Sequence, residues 1–276
     1  MDITEVTKET LEILQKGYYE VDGKRIVVAD PPERAQRVFV ATPECVASSL
    51  RSARERNVGK PCPVTVEDGD SFSAAMRSGV GRTVVLNFAN AFTPGGGFLH
   101  CSRAQEEDLC RCSTLYASLS SEEASVMYTY NREHRRPEGS DYMLFSEEVT
   151  VFRDPADYSL LSEPFKVDVV TAAAVDRYGE AIGIGDEAAA DIFRAKIEKL
   201  LALLAERGYD SVILGAWGCG AFGNDAKEIA ALFREALFDK NYASRFKKVV
   251  FAVYVNPRTR STYNYDAFKA CFGDME

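Results

Sequence analysis

The sequence predicts an α/β fold in three layers, with helices covering both faces of a central sheet. Two observations carry that prediction. Short apolar runs rich in β-branched residues alternate along the chain with stretches whose apolar positions recur at helical spacing. The runs TVVLNF (83–88) and SVILGA (211–216) are apolar on both faces, as central strands covered from each side must be. The chain of 276 residues, 46% hydrophobic and 27% charged, has enough apolar material for one sizeable core and enough charge for a soluble surface.

Val6, Leu11, Ile13 and Leu14 fall on one face of a helix over 4–18, which Gly17 and Gly23 interrupt. Strands are predicted over 25–29, 37–40, 64–66, 83–88, 167–171, 211–214 and 247–255, and helices over 43–55, 104–118, 187–207, 226–238 and 263–271. In the 187–207 helix, Phe193, Ile197, Leu200, Leu201 and Leu204 form a packing stripe without functional content. Asp70 precedes a helical pattern and reads as its N-cap. Between 128 and 165 the chain turns polar (NREHRRPEGSD, then FSEEVTVFRDP) and alternation is lost, so a surface excursion is expected there. No repeat or linker divides the chain, which is expected to form a single domain: residues 1–62 as an N-terminal extension, helical at its start, packed on a core of 63–276.

A formal charge of -9 and a pI near 5.0 give no general attraction to nucleic acid or to an acidic membrane, so an anionic ligand must be held by local dipoles. No apolar run reaches 18 residues, and the opening MDITEVTKETLEIL is acidic and amphipathic, unlike a secretion signal. Seven scattered cysteines, an odd number, point to reduced thiols. A soluble cytoplasmic protein is expected, working as a monomer without membrane or sequence-specific nucleic-acid partners.

Two stretches carry chemistry. In LNFANAFTPGGGFLHCSRAQEEDL (86–109) a buried strand runs into Gly95, Gly96 and Gly97, and Gln105, Glu106 and Glu107 open a helical pattern. Three glycines strip the backbone of Cβ atoms, so a ligand can approach its amides or the chain can turn sharply. Adjacent carboxylates in a first helical turn are an ordinary placement beside the helix dipole. Here they follow a loop at the carboxyl end of a central strand, where open α/β sheets bind ligands. In LGAWGCGAFGND (214–225) a strand leads through four glycines into a helix that Asn224 or Asp225 can cap. Such a loop can cradle a phosphate on its amides, or simply pack the helix on the sheet. It is neither a Walker loop nor a dinucleotide fingerprint. Trp217 and Phe222 within it suggest walls for a sugar or base.

Together these stretches resemble the macrodomain superfamily and, within it, the microbial-type poly(ADP-ribose) glycohydrolases. GGG, seven intervening residues and QEE match the signature of that group, which macrodomains that only bind or remove mono-ADP-ribose lack. The resemblance covers roughly residues 64–255. It implies a macrodomain-like α/β/α sandwich with a mixed central sheet, and hydrolysis of ribose-ribose bonds in poly(ADP-ribose) or of ADP-ribosylated protein without cofactor or metal. It further implies that Glu107 is the catalytic acid, that Glu106 holds the ribose hydroxyls and that Gln105 fixes the loop. Asn90 would contact the distal ribose, and Gly95, Gly96 and Gly97 would lie against it and the adjacent phosphate. Gly218, Cys219, Gly220 and Ala221 would offer amides to the diphosphate, with Phe222 packed on the terminal ADP-ribose.

Glycosidic cleavage needs a proton for the departing oxygen and stabilisation of an oxocarbenium ion, usually from two carboxylates. As sequence neighbours, Glu106 and Glu107 cannot flank the bond in the usual way, and a nearby diphosphate could stabilise the cation instead. The acid has to stay protonated, so a raised pKa is expected at Glu107. Two other readings stay open: an ADP-ribose reader that does not cut, which the intact QEE disfavours, and a hydrolase for ADP-ribose on a side chain or nucleobase. His100, Cys101, Cys110 and Cys112 offer zinc-type ligands, but Cys110 and Cys112 diverge on a helix. The cluster Arg132, His134, Arg135 and Arg136 reads as a solvated loop, and Tyr263 and Tyr265 as core or edge aromatics.

Overall fold

The computed structural model describes residues 2–28, 37–55, 59–78, 80–257 and 260–273. Its elements in chain order begin with helix α1 (Ile3–Lys16), which Asp2 caps by accepting the Thr4 N–H at 3.1 Å. The buried face of α1 carries Ile3, Val6 and Ile13 and also Thr7 and Thr10. Strands β1 (Tyr18–Val21) and β2 (Lys24–Val27) form an antiparallel hairpin, with Tyr18 opposite Val27. The strand expected over 25–29 is thus the second of a pair, and residue 29 lies outside the described residues. Strand β3 (Val38–Ala41), helix α2 (Pro43–Glu55), strand β4 (Val64–Glu67), helix α3 (Ser71–Ser78) and strand β5 (Thr83–Ala89) follow. Asp70 caps α3 as expected, accepting the Ser73 N–H at 2.8 Å.

The helix expected over 104–118 is two helices, α4 (Gln105–Cys112) and α5 (Leu115–Leu119). Ser113 between them is extended and bridges Val151, its hydroxyl turned back to the Leu109 carbonyl at 2.7 Å. Helix α6 (Glu122–Glu133) comes next, and two long strands, β6 (Met143–Arg153) and β7 (Leu160–Ala173), then occupy much of the segment expected to be an irregular excursion. The reason is a bulge. Register shifts between Ser146 and Val149, where Glu148 takes a positive φ and its amide donates to Asp168. An inserted residue flips the facing of everything after it, which erases the two-residue period in the sequence although most of β6 is buried. Helix α7 (Asp186–Glu206), strand β8 (Ser211–Leu214), helix α8 (Ala226–Arg234), strand β9 (Lys248–Ala252) and helix α9 (Tyr263–Phe272) complete the described chain. The helix expected over 226–238 closes on a wider, five-residue turn, Glu235–Asp239.

Seven strands form a mixed sheet in the order β3-β6-β7-β5-β8-β9-β4, flanked by helices; β6 and β7 pair antiparallel, whereas β5 with β8, β8 with β9 and β9 with β4 pair parallel. The chain divides into two compact units. One takes in Met1–Val40, Asn87–Glu133 and Met143–Ala172, so it holds α1, the hairpin, α4 to α6, β6, β7 and the last residues of β5. Ile13, Tyr19, Val28 and Phe152 form one of its cores. The other takes in Ala41–Leu86, His134–Tyr142 and Ala173–Glu276. Within it α7 packs on α2, α3 on β8 and β9, and α9 on α8 and β4. The stripe Phe193, Ile197, Leu200, Leu201 and Leu204 is buried there as the spacing predicts. Among the described residues no helix is long and apolar enough to cross a membrane.

Candidate active site

Helix α4 starts from Ala104, and each of its first three side chains reaches back to accept a backbone N–H. Gln105 Oε1 accepts the Phe88 amide at 2.9 Å, and Glu106 Oε2 the Asn90 amide at 2.7 Å. Glu107 Oε1 takes the Gly97 amide at 2.7 Å and its Oε2 the Ala104 amide at 3.0 Å, the backward reach of a capping box. QEE is therefore a clamp on the chain that leaves β5. Asn90 shapes the same turn, its Oδ1 accepting the amides of Phe92 and Thr93 at 2.9 Å each. Gly96 is a glycine because of the clamp: at φ 57° a Cβ there would stand 2.6 Å from Glu107 Oε1 and 2.9 Å from Glu106 Oε2.

The two carboxylates are not the solvated pair that a first helical turn usually holds. Glu106 is 3% exposed and Glu107 7%. Burial pushes the Glu106 carboxyl up to about 8; the Asn90 amide and the Asn87 side chain pull it down, and the charge of Glu107 adds to the rise. Burial thus raises Glu106, the carboxyl that the resemblance assigns to the ribose hydroxyls.

Sequence reasoning missed Asn87, which is fully buried and donates its Nδ2 to Glu106 Oε1 at 3.2 Å and to Thr171 Oγ1 at 3.1 Å. A polar residue inside the apolar run TVVLNF was the available signal. The anchorage of α4 was missed as well. Arg111, fully buried, bonds Asp108 at 2.6 Å, Thr7 Oγ1 at 3.4 Å and the Ser102 carbonyl. Thr10 donates to the Arg111 carbonyl at 2.8 Å and accepts from Nε of the equally buried Arg153 at 3.2 Å, while Arg153 pairs with Glu9 at 2.6 Å. The two threonines on the inner face of α1 thus hold α4 from behind. Arg132, read as a solvated loop residue, donates to the Phe92 carbonyl at 2.8 Å, and Arg135 pairs with Glu180 at 3.1 Å. Among the described residues no three His, Cys, Asp or Glu side chains are grouped to hold a metal ion.

In the other unit the chain leaves β8 through the 215–224 loop. Asp225 caps α8, accepting the amides of Lys227 and Glu228 at 3.0 and 3.1 Å. Asn224 is buried and pins the loop, donating Nδ2 to the carbonyls of Val175 at 2.7 Å and Gly218 at 2.9 Å. The Cys219 amide is spent on Ala216 O at 3.1 Å, whereas those of Gly218, Gly220, Ala221 and Phe222 have no hydrogen bond among the described residues. Gly220 and Ala221 are exposed. Trp217 is no wall for a ligand: it is fully buried, edge-on to Phe193 at 5.1 Å. Tyr178, unremarked in the sequence, is 73% exposed and lies against Gly223, and the neighbouring Arg177 amide donates to the Phe222 carbonyl at 2.9 Å.

Residues 7–154 match the family model for the microbial-type PARG catalytic domain, more than half of the chain. The chain is also 35% identical to poly(ADP-ribose) glycohydrolase (PARG) from Thermomonospora curvata, with 98% of this chain and 99% of that one aligned at a TM-score of 0.89. The chain belongs to the microbial-type PARG family. The same T. curvata protein bound to the inhibitor ADP-HPD superposes with a TM-score of 0.87, again at 35% identity over 98% and 99% of the two chains. PARG from Deinococcus radiodurans in complex with ADP-ribose is 33% identical over 90% of this chain and 99% of that one, with a TM-score of 0.78. No curated protein matches. Within this PARG-family chain, Asn90, the three glycines and QEE come together in one unit, and Gly218 to Phe222 form a turn of the other that is exposed at Gly220 and Ala221.

Proposed function

We propose that this chain is a poly(ADP-ribose) glycohydrolase that cuts ribose-ribose O-glycosidic bonds and releases ADP-ribose, with Glu107 as the general acid. The observation that carries the reading is the pair of buried carboxylates hydrogen-bonded to a glycine turn at the end of a central strand. Membership of the PARG family, and the inhibitor and ADP-ribose complexes of its relatives, support it.

Glu107 delivers the proton to the departing ribose oxygen; each of its oxygens has one amide contact and keeps a second lone-pair direction for that proton. Glu106 receives the ribose hydroxyls and Asn90 meets the distal ribose through Nδ2, the group its own turn leaves over. Gly95, Gly96 and Gly97 meet the sugar and its phosphate on the side of the backbone away from Tyr116, the two glutamates and Ser102, and Gln105 keeps the clamp shut through Phe88. The diphosphate goes to the amides of Gly218, Gly220 and Ala221, with Phe222 packed on the terminal ADP-ribose. Cys219 contributes loop shape, since its amide is already bonded. Both carboxylates come from one helical turn, so the oxocarbenium ion is stabilised by the substrate's own diphosphate in place of a second, opposed carboxylate. We place the enzyme in the cytoplasm as a monomer acting on poly(ADP-ribose) or ADP-ribosylated protein; its seven free thiols support a reducing compartment.

The test is Glu107→Gln, which keeps size and removes the acid. Turnover of labelled polymer should fall ~10²–10⁴-fold while the Kd for ADP-ribose holds. Glu106→Gln should raise that Kd as well as slow turnover, because a misplaced ribose harms ground-state and reactive geometry together. Near-parental turnover of Glu107→Gln removes Glu107 as the acid. A parent that binds ADP-ribose and releases none from polymer is a reader.

A further inference from the structure

We propose that Tyr128 is a positioning residue for Glu106: its buried phenol supplies, through one ordered water shared with Asn87 Oδ1, the hydrogen bond that the carboxylate draws on when it ionises. The inference rests on the role given to Glu106 above.

Tyr128 is 1% exposed, and its hydroxyl has no hydrogen-bond partner among the described residues. A buried polar group left so costs about 1–3 kcal/mol, and such groups are rare enough that each calls for a cause. Asn87 Oδ1 is a second one, on the very side chain whose Nδ2 bonds Glu106. The helix that carries Tyr128 is fastened to the turn that feeds Glu106. Asn131, three residues on and therefore on the same face of α6, donates to the Ala91 carbonyl at 2.7 Å, next to the Asn90 amide that Glu106 accepts. Burial raises the Tyr128 phenol well above the ordinary range, and the charges of Glu106 and Cys110 raise it further. The titratable groups facing Glu106 are Glu107 and Cys110 on its own helix and Tyr128 on α6; β5 and the glycine turn present the Asn87 side chain and the amides of Asn90 and Gly95.

The chemistry of the orphaned atoms is complementary to one water. It accepts from the phenol, donates to Asn87 Oδ1 and donates to the carboxylate, within the two to four partners that a buried water takes. No proton is transferred. The bond favours the ionised form, so it offsets part of the burial that raises Glu106 and keeps ionisation within reach of neutral pH.

The experiment reads unfolding instead of turnover, so its failure is distinct from failure of the glycohydrolase reading. With a folded value near 8 against an unfolded one of about 4.3, Glu106 holds more protons folded than unfolded between those values. Its stability contribution is complete below the lower value and is lost as pH rises through the upper one. Urea unfolding of the full chain at about pH 6 and about pH 9.5 should show that loss. Tyr128→Phe keeps the ring and removes the donor, which should move the Glu106 ionisation up about tenfold in proton affinity and deepen the loss by ~1.4 kcal/mol. Lys196, whose ammonium burial brings down to about 8, titrates in the same range. The measurement is therefore a cycle with Glu106→Gln, in which contributions of other groups cancel. In the Glu106→Gln background Tyr128→Phe should add no pH-dependent change. An equal loss in parent and Tyr128→Phe overturns the proposal, as does a Tyr128→Phe effect that survives Glu106→Gln. A parent whose pH dependence Glu106→Gln leaves unchanged overturns it too.

Discussion

The two glycine-rich stretches look alike in sequence and do opposite work. In the 95–97 turn the room over the backbone belongs to the protein: the Glu106 and Glu107 carboxylates stand over Gly96, the Ser102 hydroxyl over Gly97 and the Tyr116 ring over Gly95. In the 215–224 loop Gly218 is filled in the same way, by Ala174, Asn224 and Phe193, but a Cβ on Gly220 would meet nothing within 4 Å. One turn is glycine so that the protein's own side chains, two carboxylates among them, can lie against it. The other keeps one glycine whose surroundings are open, beside amides that the described protein does not use. A run of glycines in sequence thus says that something comes close, without saying whether it is the protein or its ligand.

Substitutions that add a single carbon or branch can break this contrast. The largest effect is expected from Gly96→Ala, which forces a Cβ onto both carboxylates at a positive φ. A displacement of about 1 Å at the reacting groups is worth ~10²-fold, so polymer turnover should fall at least that far, with a loss of stability in urea. Parental turnover would show that the carboxylates do not depend on this turn. Gly220→Val should leave the unfolding midpoint where it is and weaken ADP-ribose binding about tenfold, ~1.4 kcal/mol by calorimetry. Unchanged affinity would make the second loop a structural turn like the first. The smallest effect is expected from Gln105→Ala, which removes one acceptor of the clamp and frees the half-buried Phe88 amide. A loss of ~0.5–1.5 kcal/mol in stability and a few-fold drop in turnover are predicted, and a loss as deep as that of Gly96→Ala would mean that Gln105 does more than fasten the turn.

Most of the fold was legible because its central strands are apolar on both faces and its long helix keeps a strict stripe. The β6–β7 hairpin was not, because the bulge at Glu147 and Glu148 interrupts a period that has to be continuous to be read. Part of the candidate site was legible for a similar reason: GGG and QEE are local motifs, and the structure joins them through the bond from the Gly97 amide to Glu107. What escaped was long-range. Nothing near Asn87 in the chain announces Glu106, and the α1 residues Thr7, Glu9 and Thr10 that Arg111 and Arg153 bond lie more than 100 residues away from them. Trp217 was misjudged because an aromatic in a glycine loop can face either the core or a ligand, and residue type alone does not choose.

The anchorage of α4 through α1 also has a consequence for the order of events during synthesis. Arg153, which closes the back of the anchor, is 144 residues beyond its partner Glu9. At ~5–20 residues per second, α1 therefore waits roughly 7–30 s after leaving the ribosome before its last partner arrives. A helix of 14 residues is marginal by itself in water, so over that interval it has little to hold it. A nascent chain halted just short of Arg153 would already carry Asn90, the glycine turn and both glutamates, and the bonds of Arg111 to Thr7 and Thr10, but not the Arg153 bonds to Thr10 and Glu9 that complete the brace. The full anchorage of α4 is thus completed late on the ribosome, although both glutamates and the glycine turn have emerged well before.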